Sequence, residues 1–179
     1  MLRLEIQEKE LFDEKEERFI TIGPAVLTLE HSLLSISIWE SIFCKPFISN
    51  EHKTPEEILG YIKCMTLSSN VNPMIYDWLS QDQIMEIMNY INNPMSATTF
   101  SDVHIKKGPK EILTSELIYY IMVAYQIPFE CEKWHFNRLL NLIKICQIKN
   151  EPQKKMSKAE IMAQNARINA ERKKALMKK

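Results

Sequence analysis

Residues 114–149 decide the fold of this chain and read TSELIYYIMVAYQIPFECEKWHFNRLLNLIKICQIK. Hydrophobic residues recur here at intervals of three and four, which predicts two α-helices with a buried side. Pro128 separates them, because proline lacks the backbone N–H that a helix interior needs and its ring clashes with the preceding turn. We predict one helix over 115–125 and a second over 130–148, the longest core helix, with Trp134 anchoring its packing.

The cluster of Cys131, Trp134 and His135 after this proline is the one place in the sequence that suggests a catalytic or metal site. Cys131 and His135 are four residues apart and would share one side of the predicted helix. A structural zinc site needs four ligands, and the other histidines stand isolated in the sequence. Cys131 also lies between two glutamates, whereas a reactive thiolate needs positive surroundings. We therefore predict core packing for the cluster, no catalytic, cofactor or metal residue, and a protein that is not an enzyme.

The composition predicts one soluble domain, with or without an appendage. The 179 residues are 45% hydrophobic and 26% charged, and the formal net charge is zero, so no global charge favours nucleic acid or an anionic membrane. Four cysteines are scattered, the first residues lack the apolar core of a signal peptide, and no apolar run is long enough to span a membrane. These features predict a cytosolic protein with reduced thiols and no membrane partner.

The neutral total hides a difference between the two ends. Residues 1–18 hold seven acids against four bases, a net charge of −3, and residues 152–179 hold nine bases against two acids, a net charge of +7. Either head-to-tail association or simple solvation of both ends accounts for this pattern, and solvation is the simpler account. No aromatic residue follows Phe136, so base stacking is absent from the basic end and nucleic acid is not an expected partner.

The first thirty residues predict a small antiparallel β element. Apolar and polar residues alternate from Leu2 to Ile6, and two apolar segments flank the charged residues 13–18, which predicts a hairpin. A further short strand is predicted over 25–29, after Gly23-Pro24.

Four more helices are predicted from apolar spacing and capping residues, over 31–43, 55–65, 73–79 and 81–92. Thr54 with Glu57, and Ser80 with Gln83, have the spacing of capping boxes. The helix over 31–43 has too many apolar residues for one narrow stripe, and we predict that it is substantially buried.

The predicted fold class is mainly α with a small N-terminal antiparallel β element (α+β). Its predicted parts are a β-rich segment over 1–29, a helical bundle over 30–149, and a charged linker with a protruding basic C-terminal helix over 150–179. Residues 96–110 are polar and are predicted to form a loop.

Four segments resemble a protein family encoded in the tail modules of long-tailed bacteriophages and prophages. They are LTLEHSLLSISIWESIFCKPF (27–47), KTPEEILGYIKCMTL (53–67), residues 112–149, and KKMSKAEIMAQNARINAERKK (154–174), so the resemblance covers nearly the whole chain. The chain is similar to tail assembly chaperones, which are made alongside the major tail and tape-measure proteins. No catalytic motif comes with this family.

The resemblance implies a helical chaperone in the host cell cytoplasm that coats the tape-measure protein until tail-tube subunits polymerise around it. Tape-measure and other tail proteins are the expected partners. The sequence leaves open whether the protein also forms a homo-oligomer. A structural virion component, such as a tail or connector accessory protein, is the alternative.

A chaperone of this kind needs a groove for amphipathic helices. Flexible methionines could line it, although each could equally fill the core. The candidate partner-binding residues are Met65, Met85 and Met88, together with Ile161, Ile168, Arg167 and Arg172 in the C-terminal helix.

Overall fold

The fold is mainly helical with a small antiparallel β element at the N-terminus, which confirms the predicted fold class. A computed structural model describes residues 1–13, 17–49, 51–98 and 112–150, together with residues 162, 165 and 166. The chain divides into two compact units, Met1–Cys146 and Gln147–Lys179. Residues 162, 165 and 166 are helical and exposed, but the remainder of the predicted C-terminal helix after residue 150 lies outside the described residues.

Four strands form two consecutive antiparallel ladders, namely β1 (Leu2–Ile6), β2 (Lys9–Asp13), β3 (Arg18–Ile22) and β4 (Ala25–Leu29). β1 pairs with β4 and β2 pairs with β3. The β2–β3 pair therefore lies, in sequence, between the two strands of the β1–β4 ladder. Gly23 has a φ of 87°, and a Cβ there would lie 3.0 Å from the Gln7 carbonyl oxygen, so this position between the ladders requires glycine.

The β1–β4 ladder is joined to the helical part of the chain. Leu4 and Ile6 of β1 are buried, and their neighbours in the strand are exposed, as the alternating sequence predicts. The Leu67 N–H donates to the Thr28 carbonyl (2.8 Å), and the Glu30 N–H donates to the Met65 carbonyl (2.9 Å). These bonds hold β4 against Met65 and Leu67, at and just after the end of the helix Pro55–Met65.

The described helices are α1 (Leu33–Phe43), α2 (Pro55–Met65), α3 (Gln81–Asn92), α4 (Ser115–Ala124) and α5 (Phe136–Asn150), and two 3₁₀ segments lie at Pro73–Trp78 and Phe129–Lys133. Both predicted capping boxes are present, Thr54 with Glu57 and Ser80 with Gln83. Each box satisfies two backbone N–H groups that a helix start leaves without an intrahelical partner. The local sequence therefore determines where α2 and α3 begin.

The core is built around α1, which packs against α2 and α4. Trp39 is buried, and its ring centroid lies 4.8 Å from that of Phe43 and 5.2 Å from that of Phe47. A Cβ at Gly60 of α2 would lie 2.6 Å from a ring carbon of Phe43. Glycine at position 60 thus allows the two helices to approach at this ring.

The start of α4, which Thr114 caps, is tied to α1 by the buried carboxylate of Glu40. This carboxylate accepts hydrogen bonds from the N–H groups of Phe47 and Ser115, each at 2.7 Å. Two backbone donors share one carboxylate, so the end of α1, the following loop and the first residue of α4 are held together. The chain later returns to the start of α1 through an antiparallel bridge between Ser32 and His135.

The prediction of one long helix over 130–148 is wrong at its start. Phe129–Lys133 is a 3₁₀ segment, Trp134 is extended with φ −71° and ψ 160°, and α5 begins only at Phe136. The reason is tertiary pairing: the Phe136 N–H donates to the His31 carbonyl (2.7 Å). This bond and the bridge at His135 draw the backbone out of the helical path that its apolar spacing favours.

Candidate partner-binding surface

The exposed side of α1 carries an apolar stripe of Leu34, Ile38 and Ile42. These residues are four apart and therefore lie on one side of the helix. Ile42 is 62% exposed, whereas Ile36 and Trp39 on the other side are almost completely buried. The prediction of a substantially buried α1 is thus only half correct, because one side of the helix has no covering element among the described residues.

The neighbouring helix α4 also exposes apolar residues, on the same side as its exposed Glu116. Tyr120 and Val123 are exposed, and Ile118 and Met122 are fully buried. Isolated apolar residues at a surface are ordinary, but apolar exposure on two helices that pack together is the pattern of an interaction surface.

The candidate methionines separate into two groups. Met65 has no exposed surface and packs in the core, so its side chain does not line a groove in this conformation. Met85 and Met88 are exposed on α3, three residues apart and therefore on one side of that helix. The candidates Ile161, Arg167, Ile168 and Arg172 lie outside the described residues.

The cluster after Pro128 differs from its sequence-based description. Cys131 and His135 do not share a helix side, since one lies in a 3₁₀ segment and the other precedes α5. Trp134 is only partly buried, and the Arg138 guanidinium lies 4.3 Å from its ring centroid. Burial first, and then the charge of Glu130, raise the pKa of the Cys131 thiol, which makes it a poor nucleophile.

A buried polar cluster joins five separate parts of the sequence and was missed by the sequence reasoning. The imidazoles of His31 and His135 meet edge to face with centroids 5.1 Å apart. His31 Nδ1 lies 2.5 Å from the Tyr61 hydroxyl, and the Tyr90 hydroxyl donates to Glu30 (2.7 Å). The Glu30 carboxylate also pairs with the Met1 amino group at 2.9 Å. The two histidines are separated by about a hundred residues of sequence, so their spacing offered no signal.

Both histidines are held neutral by their surroundings. Burial, and then the nearby His135, lower the pKa of His31 to about 3. Burial is also the largest cause of the lowered pKa of His135. His135 Nε2 donates to the Tyr90 carbonyl (3.0 Å), and its Nδ1 is buried without a hydrogen-bond partner among the described residues. A proton on that atom would add a charge and an unsatisfied donor to the core.

A surface depression of about 390 Å³ lies between the end of α1 and the start of α4. Its polar side chains are engaged within the protein: Glu40 binds two backbone N–H groups, and Lys45 pairs with Glu57 at 2.6 Å. The pair with Lys45 holds the pKa of Glu57 below its usual range. The described residues contain no group of three or more His, Cys, Asp or Glu placed to hold a metal ion. Within the same residues, no helix is long and apolar enough to cross a membrane.

Comparison with protein-family models, with curated proteins and with solved structures found no match for this chain.

Proposed function

We propose that this protein is a tail assembly chaperone of a long-tailed bacteriophage or prophage, acting in the host cytoplasm on the tape-measure protein. The observation that carries the proposal is the exposed apolar stripe of Leu34, Ile38 and Ile42 on a helix whose other side belongs to the core. The family resemblance supplies the partner, and the stripe supplies the kind of surface that such a partner requires.

The spacing of the stripe suits an amphipathic helix as the bound element. Residues four apart form a ridge that packs into the groove between ridges of another helix. A partner helix with apolar residues at intervals of three and four would bury the stripe together with its own apolar side. Each Å² of apolar surface removed from water contributes about 25 cal/mol, so a partner with many such helices gains from being covered along its length.

The polarity of α1 favours the same partner. Glu40 is the only charged residue within α1, and its carboxylate is buried against two backbone N–H groups. A helix that docks on the stripe therefore desolvates no charge of α1, and interface centres are depleted in charge for this reason. Tyr120 and Val123 are exposed on α4, which packs against α1. Met85 and Met88 are further exposed apolar residues, on α3.

A structural virion component is the second candidate, and the opposite charges of the two chain ends favour it. Residues 1–18 carry a net charge of −3 and residues 152–179 a net charge of +7, which suits repeated contacts between subunits. Purified virions separate the two functions: a chaperone is absent from them, and a structural component is present in many copies.

Co-expression tests the proposed function. The tape-measure protein encoded in the same tail module is expressed alone and together with this protein. We expect it to be insoluble alone, and to become several-fold more soluble and to co-purify when this protein is present, because its apolar helices are covered. Unchanged solubility without co-purification would refute the proposed function.

A further inference from the structure

β2 and β3, which lie in sequence between β1 and β4, pair with each other and form a two-stranded arm. Phe12 and Phe19 are directly opposite each other in this ladder, and their rings meet edge to face with centroids 5.2 Å apart. The two side chains are 53% and 71% exposed. Within the part of the chain that the structure describes, β2 and β3 make extensive contacts only with each other.

An arm of this kind is incomplete by itself. An isolated two-stranded hairpin is at best marginally stable in water, and its outer edges keep unpaired backbone N–H and C=O groups. Two large aromatic rings on one of its sides remain in water as well. A partner that covers the pair of rings would stabilise the arm by removing this apolar surface from water.

Charge identifies the partner. Residues 7–24, the sequence that contains the arm, hold six acids against three bases, a net charge of −3, so two arms placed together would repel each other. Residues 152–179 of the same sequence hold nine bases against two acids, a net charge of +7. We propose that the arm of one copy binds the basic segment 152–179 of a second copy, so that the protein associates head to tail.

A head-to-tail contact joins two different surfaces. Each pair of copies therefore leaves one arm and one basic segment free, and further copies can add at both ends. The expected assembly is an open series of oligomers that grows with concentration and shortens as salt screens the opposite charges.

The test uses the full chain in sedimentation velocity at low and high salt. The arm variant combines Glu10→Lys with Glu17→Lys, and the basic-segment variant combines Arg172→Glu with Lys173→Glu. We expect the wild type to associate at low salt and each variant to associate roughly tenfold more weakly or not at all. An equimolar mixture of the two variants should recover association, because one brings an intact arm and the other an intact basic segment.

The matched control reverses two exposed acids of the helical part, Asp77→Lys with Glu130→Lys, and should associate like the wild type. Circular dichroism confirms that every variant is folded. A wild type that stays monomeric at all concentrations overturns the inference, and so does an arm variant that associates like the wild type. A mixture that stays monomeric also overturns it, because an intact arm and an intact basic segment would then be present together without binding. An association that does not weaken at high salt would also overturn the inference.

Discussion

Replacing Trp39 by alanine is expected to lower the free energy of unfolding by about 3–5 kcal/mol. Trp39 is 1% exposed, and its ring packs against those of Phe43 and Phe47. Its indole N–H donates to the Glu57 carbonyl at 2.9 Å, so truncation removes this buried hydrogen bond together with a large apolar contact. Urea denaturation followed by circular dichroism measures the loss.

Two other tryptophans serve as matched controls for this substitution. Trp78 is 45% exposed, and Trp78→Ala should cost less than about 1 kcal/mol. Trp134 is partly buried under the Arg138 guanidinium, so Trp134→Ala should cost about 1–2 kcal/mol. A larger loss for Trp134→Ala than for Trp39→Ala would contradict the core described here and would support the anchoring role predicted for Trp134 from the sequence.

Acidification from about pH 7 to about pH 4 is expected to remove roughly 3 kcal/mol of stability through His31 alone. The folded pKa of His31 is about 3, compared with an ordinary value of 6.5. The unfolded chain therefore binds a proton that the folded chain excludes. This stability is present above pH 6.5 and is lost progressively as the pH falls towards 3, and the lowered pKa of His135 adds a loss of the same sign.

Substitution separates this effect from general acid denaturation. His31→Gln removes the titrating group and keeps a polar side chain beside the Tyr61 hydroxyl. The variant should be less stable at neutral pH but should show a smaller fall in unfolding free energy between about pH 6 and pH 4. His52→Gln, at an exposed position, is the control for replacing a histidine by glutamine. Equal pH dependence in wild type and His31→Gln would show that His31 is not held neutral by the core.

Local signals in the sequence predicted much of the fold. The alternation from Leu2 to Ile6 and the capping residues Thr54 and Ser80 act within a few residues, and each predicted element is present. The start of α5 could not be predicted in this way, since it depends on the hydrogen bond from Phe136 to His31, which lie far apart in sequence. Apolar spacing indicates that a segment is helical with a buried side, but it carries no information about distant backbone pairing.

Less of the candidate surface could be predicted. The ten methionines drew attention to a possible groove, yet Met65 is buried, and a residue type alone does not distinguish core from surface. The abundance of apolar residues on α1 predicted a substantially buried helix, but abundance does not indicate that the side with Ile38 has no covering element among the described residues. The cluster around His31 and His135 depends wholly on tertiary contacts.

The central claim is that the exposed apolar side of α1 binds the tape-measure protein. Its most direct test is a titration of an apolar-helical segment of that protein against the wild type and against the double variant Ile38→Gln with Ile42→Gln. The double variant should bind about 30- to 100-fold more weakly, because two apolar contacts of about 1 kcal/mol or more are lost. Leu67→Gln with Ile112→Gln, at two exposed positions outside the helices, should bind like the wild type. Unchanged affinity of the α1 variant, or an equal loss in the control, would contradict the claim.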